Sequence, residues 1–150
     1  MAPDDFTNTP ERLVLLQRKP GMIGKAARFG LMLLGLEIPP DVPIGPGFRL
    51  PHGAVGLVIQ GNSVIGSNVT MFGGVVLGRG DQHRHDTARG GRIIVGDGVR
   101  IGSGAKVMFK SGETLTLGEG CVIGANAVVL SSVPAGEIWA GSPAVKVGIV

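Results

Sequence analysis

The sequence predicts an all-β fold in which short parallel strands wind into a triangular solenoid. Of the 150 residues, 27 are glycine and 10 are proline, about twice the usual share of these two residue types. The chain is nonetheless 43% hydrophobic, which argues against a disordered low-complexity chain. Large apolar residues recur with a period of six, at Ile59, Ile65, Met71 and Leu77. A fixed short period is typical of a stacked repeat architecture.

The six-residue period continues toward the C-terminus. The further anchors are Val95, Ile101, Val107, Leu117, Ile123 and Val129, and a weaker copy of the pattern comes earlier at Ile38, Ile44 and Leu50. A small or β-branched side chain follows most anchors by four positions. These side chains belong to Val69, Val75, Val99, Ala105, Cys121, Ala127 and Val133.

Each six-residue unit is expected to form one short strand and one corner. The anchor and the residue four places later point inward, and glycine or asparagine supplies the positive φ that the corner needs. Three units close one coil, and stacked coils share a continuous aliphatic interior. An antiparallel β-sandwich would instead require alternation with a period of two and hairpin turns.

The composition excludes several other classes of protein. The chain has no Gly-X-Y period, so it is not collagen, and no apolar run approaches the roughly 20 residues of a membrane-spanning helix. Its acidic start, MAPDDFTNTPERL, has no apolar signal core, and its single cysteine cannot form an internal disulfide. We therefore expect a cytoplasmic protein. A net charge of +3 without aromatic platforms gives no reason to expect a nucleic-acid partner.

Residues 1–36 lie outside the repeat, so we expect a helical cap segment at 1–36 followed by a β-helix domain at 37–150. Within the first segment, Ile23, Ala27, Leu31 and Leu34 share one helical face, which predicts a short helix that covers the first coil. Basic residues surround this helix, namely Arg12, Arg18, Lys19, Lys25 and Arg28. They leave peripheral contact with an anionic membrane as the alternative to capping or subunit contact.

Three interruptions break the repeat, and loops on a rigid scaffold often carry function. Nine residues separate Leu50 from Ile59, the polar stretch 79–92 offers no inward aliphatic residue, and ten residues separate Val107 from Leu117. The three histidines lie in the first two interruptions, as His52, His83 and His85. This distribution indicates chemistry at the breaks.

These features resemble the hexapeptide-repeat acyltransferases, whose fold is a left-handed parallel β-helix. The stretch EIPPDVPIGPGFRLPHGAVGLVI is similar to the serine acetyltransferases, which carry an aspartate fifteen residues before a histidine. Here Glu37 stands fifteen residues before His52. The resemblance implies that His52 is the general base that takes the proton of the acceptor hydroxyl, and that Glu37 orients its imidazole ring.

The resemblance offers several candidates for a second group on the extruded loop. The family has Asp-Arg-His near the end of this loop, and the segment DQHRH at 81–85 is similar. We expect His85, beside Arg84, to contact the substrate or the thioester, with His83 and Arg92 as the alternatives. A metal site built from Asp81, His83 and His85 would rest on a His-x-His pair, which is a weak metal signal, so no metal is expected.

The donor implied by the resemblance is acetyl-CoA, bound in a groove between neighbouring coils of two subunits. The segments IGSGAKV and IGANAVV would place Gly104, Ala105 and Ala125 near the pantetheine arm. The segment AGSPAVKVG would offer Lys146 to a phosphate group. Cys121 occupies an inward repeat position, which predicts a packed side chain and no nucleophile.

The acceptor stays open between the hydroxyl of L-serine and a sugar hydroxyl. The family's aspartate before the histidine, which engages serine, is Pro51 here, and short chains of this kind are also similar to O-acetyltransferases of polysaccharide biosynthesis. The resemblance further implies a homotrimer with sites between subunits. The alternatives are a carbonic-anhydrase-like metalloenzyme on the same solenoid and a scaffold without catalytic activity.

Overall fold

The computed structural model describes residues 9–84 and 90–150. Within them, two helices precede a triangular β-helix. The helices are α1 (Thr9–Leu16) and α2 (Met22–Leu33). Val14 of α1 and Leu31 of α2 belong to the same hydrophobic core as the first coil. The helices therefore close one end of the β-helix core.

Helix α1 was not predicted from the sequence, although its start carries a recognisable signal. Pro10 and Glu11 lie in its first turn. Proline is tolerated there because the N–H groups of the first turn have no acceptor within the helix. The negative charge of the glutamate interacts favourably with the positive end of the helix dipole.

The buried face of α2 differs in part from the predicted one. Ala27 and Leu31 are buried as expected, but Ile23 is 59% exposed and Leu34 is 39% exposed. Gly24 takes the inward position instead. Its backbone lies so close to the carbonyl of Lys19 that a Cβ atom there would overlap it. The close approach of two backbones has rotated the helix away from the orientation that hydrophobicity alone predicts.

The strands form three sheets, one along each side of the triangle. Sheet A holds β1 (Val58–Ile59), β4 (Val76–Arg79), β7 (Lys106–Phe109) and β10 (Val128–Val129). Sheet B holds β2 (Val64–Ile65), β5 (Arg92–Val95) and β8 (Thr114–Leu117). Sheet C holds β3 (Thr70–Met71), β6 (Arg100–Ile101), β9 (Val122–Ile123), β11 (Glu137–Gly141) and β12 (Ala144–Ile149).

Neighbouring strands pair in parallel, one coil above the next, except for the antiparallel β11–β12 hairpin at the C-terminal end. The first coil is joined to the second by the isolated parallel bridges of Glu37, Ile44 and Arg49. The expected parallel β-helix is thus confirmed.

The six-residue anchors stack in register inside the prism. Along sheet A, Ile59 lies beside Leu77, Leu77 beside Val107, and Val107 beside Val129. These four side chains are at most 1% exposed, and burying each aliphatic side chain stabilises the fold by about 1.5–3 kcal/mol. Cys121 is packed in the same interior, as predicted. Burial raises the pKa of its thiol to about 11, so the thiolate is scarce at neutral pH.

Two of the interruptions meet at the corner where sheet A passes to sheet B. There the strands run beyond the anchors, so that Arg79 pairs with Phe109 and Ile93 pairs with Leu115. Ile93, Phe109 and Leu115 are buried and form a second apolar layer at the base of the loop. The polar stretch and the later insertion therefore build one shared projection.

None of the helices among the described residues combines the length and the hydrophobicity needed to cross a membrane.

Candidate active site

His52 lies on a tight turn at the corner where sheet C passes to sheet A. The turn spans Pro51–Ala54, and its backbone is left-handed at His52 (φ 56°), Gly53 (φ 79°) and Ala54 (φ 47°). Non-glycine residues rarely adopt this conformation, and such strain clusters at functional sites. The nine-residue break in the repeat is thus a strained turn that presents one histidine.

Contacts on both sides hold this turn in place. The Glu11 carboxylate of α1 accepts a 2.6 Å hydrogen bond from the backbone N–H of Leu50, two residues before His52. After the turn, the carbonyl of Val55 accepts a 2.9 Å hydrogen bond from the N–H of Gly74 in the next coil. The cap helix and the second coil therefore fix the position of His52.

The imidazole of His52 is exposed and has an aromatic neighbour. Its ring centroid lies 6.4 Å from that of Phe72, with the ring planes tilted by 39°. Sequence reasoning missed Phe72, because twenty residues separate it from His52 and only the stacking of coils brings them together. The ring of Phe72 provides an apolar wall on one side of the imidazole.

Glu37 lies at the same corner as His52. Its backbone N–H donates a hydrogen bond to the carbonyl of Leu57, and the carbonyl of Gly35 accepts one from the N–H of Gly56. Within the described residues no hydrogen bond or ion pair joins its carboxylate to His52. Glu37 lines a cavity of about 450 Å³ between α2 and the first coil, together with Gln17 and Arg28. The structure thus brings the two residues to one corner without the hydrogen bond that an orienting carboxylate would make.

The turns that follow at the corner of His52 in successive coils stack on one another, and we call this stack the column. A Cβ atom on Gly56 would lie 3.5 Å from the Cα of Gly74, and one on Gly74 would lie 3.4 Å from the Cα of Gly104. The side chain of Asn126 lies directly against Gly104 in the following coil. Two of the three segments expected to bind the donor, IGSGAKV and IGANAVV, therefore lie along the same edge of the prism as His52.

The predicted donor residues differ in what they can offer a ligand. Ala105 is buried, and its N–H donates a hydrogen bond to the carbonyl of Gly102. The carbonyl of Ala105 accepts a hydrogen bond from the N–H of Val76. The N–H of Gly104 likewise donates to the carbonyl of Gly73. Ala125 is exposed at the tip of its turn.

The backbone N–H groups of Ala125 and of Ser103, the exposed turn residue of the coil before, have no hydrogen-bond acceptor in the part of the chain that the structure describes. These two groups are among the backbone donors that the column leaves open.

Lys106 is a candidate that the sequence analysis did not identify. Its ammonium group donates 2.7 Å hydrogen bonds to the carbonyls of Gly74 and Gly104, so it is fixed in the column between two coils. An ammonium group has three N–H donors, which leaves one for a ligand. A lysine after a turn alanine carries no sequence signal of this role, because its partners come from two different coils.

Lys146 is engaged elsewhere. It lies on β12, and its ammonium group forms a 2.7 Å ion pair with Glu137. The hydrogen bond from Lys146 and a second one from the indole of Trp139 hold the pKa of the Glu137 carboxyl below its usual value. A phosphate would have to compete with this carboxylate for Lys146.

Two of the candidates for the second catalytic group, His83 and Arg92, belong to a different corner. Arg92 begins β5 at the projection between sheets A and B, and His83 is exposed near the end of β4. His85 lies outside the described residues. His52 and this loop therefore occupy two separate edges of the same chain.

Asp81 of this loop has a structural role. Its carboxylate accepts 3.0 Å hydrogen bonds from the backbone N–H and the hydroxyl of Ser111, and Arg79 lies 3.5 Å away. Burial raises the pKa of this carboxyl, but these hydrogen bonds and the arginine outweigh it, so that the pKa falls below its ordinary value. Residues 9–84 and 90–150 contain no cluster of three potential metal ligands.

Comparisons with known proteins identify relatives of this β-helix, although no protein-family model matches the chain. The serine acetyltransferase of Helicobacter pylori is 38% identical over 125 residues, which cover 81% of this chain and 64% of that protein.

Two solved structures are similar over most of the chain. The serine acetyltransferase of Neisseria gonorrhoeae in complex with serine has a TM-score of 0.69 at 28% identity, over 91% of this chain and 54% of that one. The serine acetyltransferase of Brucella abortus in complex with coenzyme A has a TM-score of 0.67 at 26% identity, over 95% of this chain and 54% of that one.

The six-residue repeat, the three parallel sheets and these likenesses define the chain as a left-handed parallel β-helix that resembles the hexapeptide-repeat acyltransferases. The curated relatives that it matches include serine acetyltransferases of several species, of whose length the chain spans from 31% to 64%. The expected fold and the expected resemblance are both confirmed.

Proposed function

We propose that the protein is an acetyl-CoA-dependent O-acetyltransferase that acetylates the hydroxyl of L-serine. The observation that carries the proposal is the strained turn that presents His52 at the foot of a column with open backbone donors. Relatives named serine acetyltransferases support the choice of reaction, and the complexes with serine and with coenzyme A support the choice of substrates.

In the proposed reaction His52 acts as the general base. The neutral imidazole takes the proton of the serine hydroxyl while the oxygen attacks the thioester carbonyl of acetyl-CoA. The tetrahedral intermediate then expels the thiolate of coenzyme A, which takes the proton back from the imidazolium. O-acetylserine and coenzyme A leave, and His52 is neutral again.

Glu37 is the proposed orienting carboxylate. It stabilises the imidazolium once its side chain turns from the cavity beside α2 toward the ring, a movement that an exposed glutamate can make at little cost. The extra methylene relative to the aspartate of the resembling family lengthens this reach.

The donor is proposed to lie along the column above His52. Open N–H groups on Ser103 and Ala125 suit the amide carbonyls of a pantetheine arm, as neutral hydrogen-bond partners. Lys106 suits an anionic or carbonyl oxygen near the same edge. Gly104 and Ala105 contribute the shape of the turn, since their N–H groups are used within the fold.

We also propose a homotrimer in which two subunits complete each site. The support is the separation of His52 from His83 and Arg92, which lie at a different corner of the same chain. A site that uses both needs the loop of a second copy beside the corner of the first.

The test is an acceptor panel. Release of the coenzyme A thiol from acetyl-CoA is followed with L-serine, L-homoserine and a set of mono- and oligosaccharides. We expect turnover with L-serine well above that with the sugars. Turnover with sugars alone would instead assign the enzyme to glycan acetylation, and hydrolysis without any acceptor preference would refute the proposed acceptor.

A further inference from the structure

The outward face of α2 is apolar. Its buried positions are Gly24, Ala27 and Leu31. On the opposite side Met22, Phe29 and Leu33 are 79%, 59% and 72% exposed, and at 100° per residue they share an arc of only about 40°. A surface helix of a globular protein normally places polar residues there.

The fold prevents these side chains from turning inward. Gly24 packs directly against the backbone carbonyl of Lys19, and a Cβ atom on Gly30 would lie 3.2 Å from the side chain of Leu13 in α1. Small residues thus fix α2 close to the body of the protein. The apolar face is consequently a permanent feature of the surface.

Positive charge surrounds this face. Residues 9–34 hold five basic side chains and one acidic side chain, a net charge of +4, whereas the whole chain carries +3. The remaining residues are therefore net −1. The acidic residue, Glu11, is already bonded to Leu50. Lys19, Lys25 and Arg28 are exposed, and their side chains have no hydrogen-bond or ion-pair partner among the described residues.

We infer that α2 lies on the surface of an anionic lipid bilayer, with Met22, Phe29 and Leu33 inserted at the level of the headgroups. A helix with aromatic and aliphatic residues on one face and lysine or arginine at its border binds membranes in this way, by apolar burial and by attraction to anionic lipids. The inference concerns location and goes beyond the proposed reaction, since no catalytic residue takes part.

A second copy of the chain is the competing occupant, and charge argues against it. Two copies that meet through this face would bring Lys25 and Arg28 of each toward like charges of the other. An anionic bilayer instead offers opposite charge over the whole basic border.

The test is co-sedimentation of the full chain with vesicles of phosphatidylcholine, with and without phosphatidylglycerol. We expect binding to the anionic vesicles that weakens as salt is raised. The double variant Phe29→Ser/Leu33→Ser should bind the anionic vesicles at least about 10-fold more weakly, because both inserted side chains are lost. The variant Lys19→Gln/Lys25→Gln should lose most of the preference for phosphatidylglycerol.

The matched control is Val147→Ser/Ile149→Ser on β12, whose side chains are 62% and 72% exposed. It should bind vesicles as the wild type does. The inference fails if the wild type does not bind anionic vesicles, or if the α2 and β12 variants lose binding equally. A smaller oligomer in the α2 variant, with no vesicle binding by the wild type, would assign the face to a second copy. Acetyl transfer to soluble acceptors by the α2 variant shows separately whether the proposed function holds.

Discussion

At the scale of single residues, Ser63 departs from the interior that the repeat builds. It follows the anchor Ile59 by four positions, where Val69 and Val75 stand in the next turns. Ser63 is 1% exposed, and its hydroxyl has no hydrogen-bond partner among the residues that the structure describes. Ser63→Ala should therefore raise the free energy of unfolding by about 1 kcal/mol, since it removes an unsatisfied buried polar group.

Equilibrium urea unfolding measures this change, and Ser111→Ala is the matched control. The hydroxyl of Ser111 donates to Asp81, so its removal should lower stability. Equal losses in both variants would show that the hydroxyl of Ser63 is satisfied in solution.

Asp81 gives a pH-dependent prediction. Its pKa in the folded protein lies below the ordinary value of 3.8, so the folded state holds the proton less tightly than the unfolded state does. The stabilisation is complete above pH 4 to 5 and is lost as the pH falls through the folded-state pKa. The Tm difference between the wild type and Asp81→Asn should accordingly shrink as the pH is lowered from 5 toward 3. A constant difference would contradict the role of the ionised carboxylate.

The residues of the candidate site show what a sequence can and cannot predict. His52 and Glu37 could be proposed from the sequence because their spacing is visible along the chain. Phe72 and Lys106 could not, because their partners belong to neighbouring coils and the contact exists only once the coils stack. Ala105 was expected near the donor although it stands at an inward repeat position, and the structure buries its side chain and uses its backbone N–H within the fold.

At the scale of elements, the corners of the β-helix depend on close approach between coils. A Cβ atom on Gly118 would lie within 3 Å of backbone atoms of Pro134 and Ala135, and its φ is not in the left-handed region. Gly118→Ala should thus lower stability by about 1–3 kcal/mol, as overpacking does.

Gly61→Ala is the control for this change, because its nearest contact would be Pro39 at 3.9 Å and its φ is likewise ordinary. It should change stability by less than about 0.5 kcal/mol. Thermal unfolding of both variants measures the difference, and equal Tm values would contradict the steric argument.

The helices and the projecting corner mark the limit of prediction for elements. The six-residue period predicts the coils, because it can be read from residues that are close together in the sequence. The orientation of α2 was only half predicted, since the backbone contact at Gly24 outweighs the burial of Ile23. The extra layer of Ile93, Phe109 and Leu115 was missed, because two insertions separated along the chain support each other only in space.

At the scale of the whole molecule, the separation of His52 from the loop at the A–B corner predicts an assembly. Sedimentation equilibrium should give three times the chain mass of 15.3 kDa. A monomer at micromolar concentration would contradict the shared site, since one chain keeps the two corners apart.

The central claim is that the strained corner of His52 performs the acetyl transfer, and the rate of coenzyme A release with L-serine tests it most directly. In His52→Asn the amide cannot act as a base, and asparagine tolerates the left-handed backbone, so the fold should persist. We expect the rate to fall by about 10²–10⁴-fold, while Asn68→Ala, at the third corner with a similar left-handed backbone (φ 55°), keeps the wild-type rate. A wild-type rate in His52→Asn, with its circular dichroism and Tm unchanged, would contradict the account.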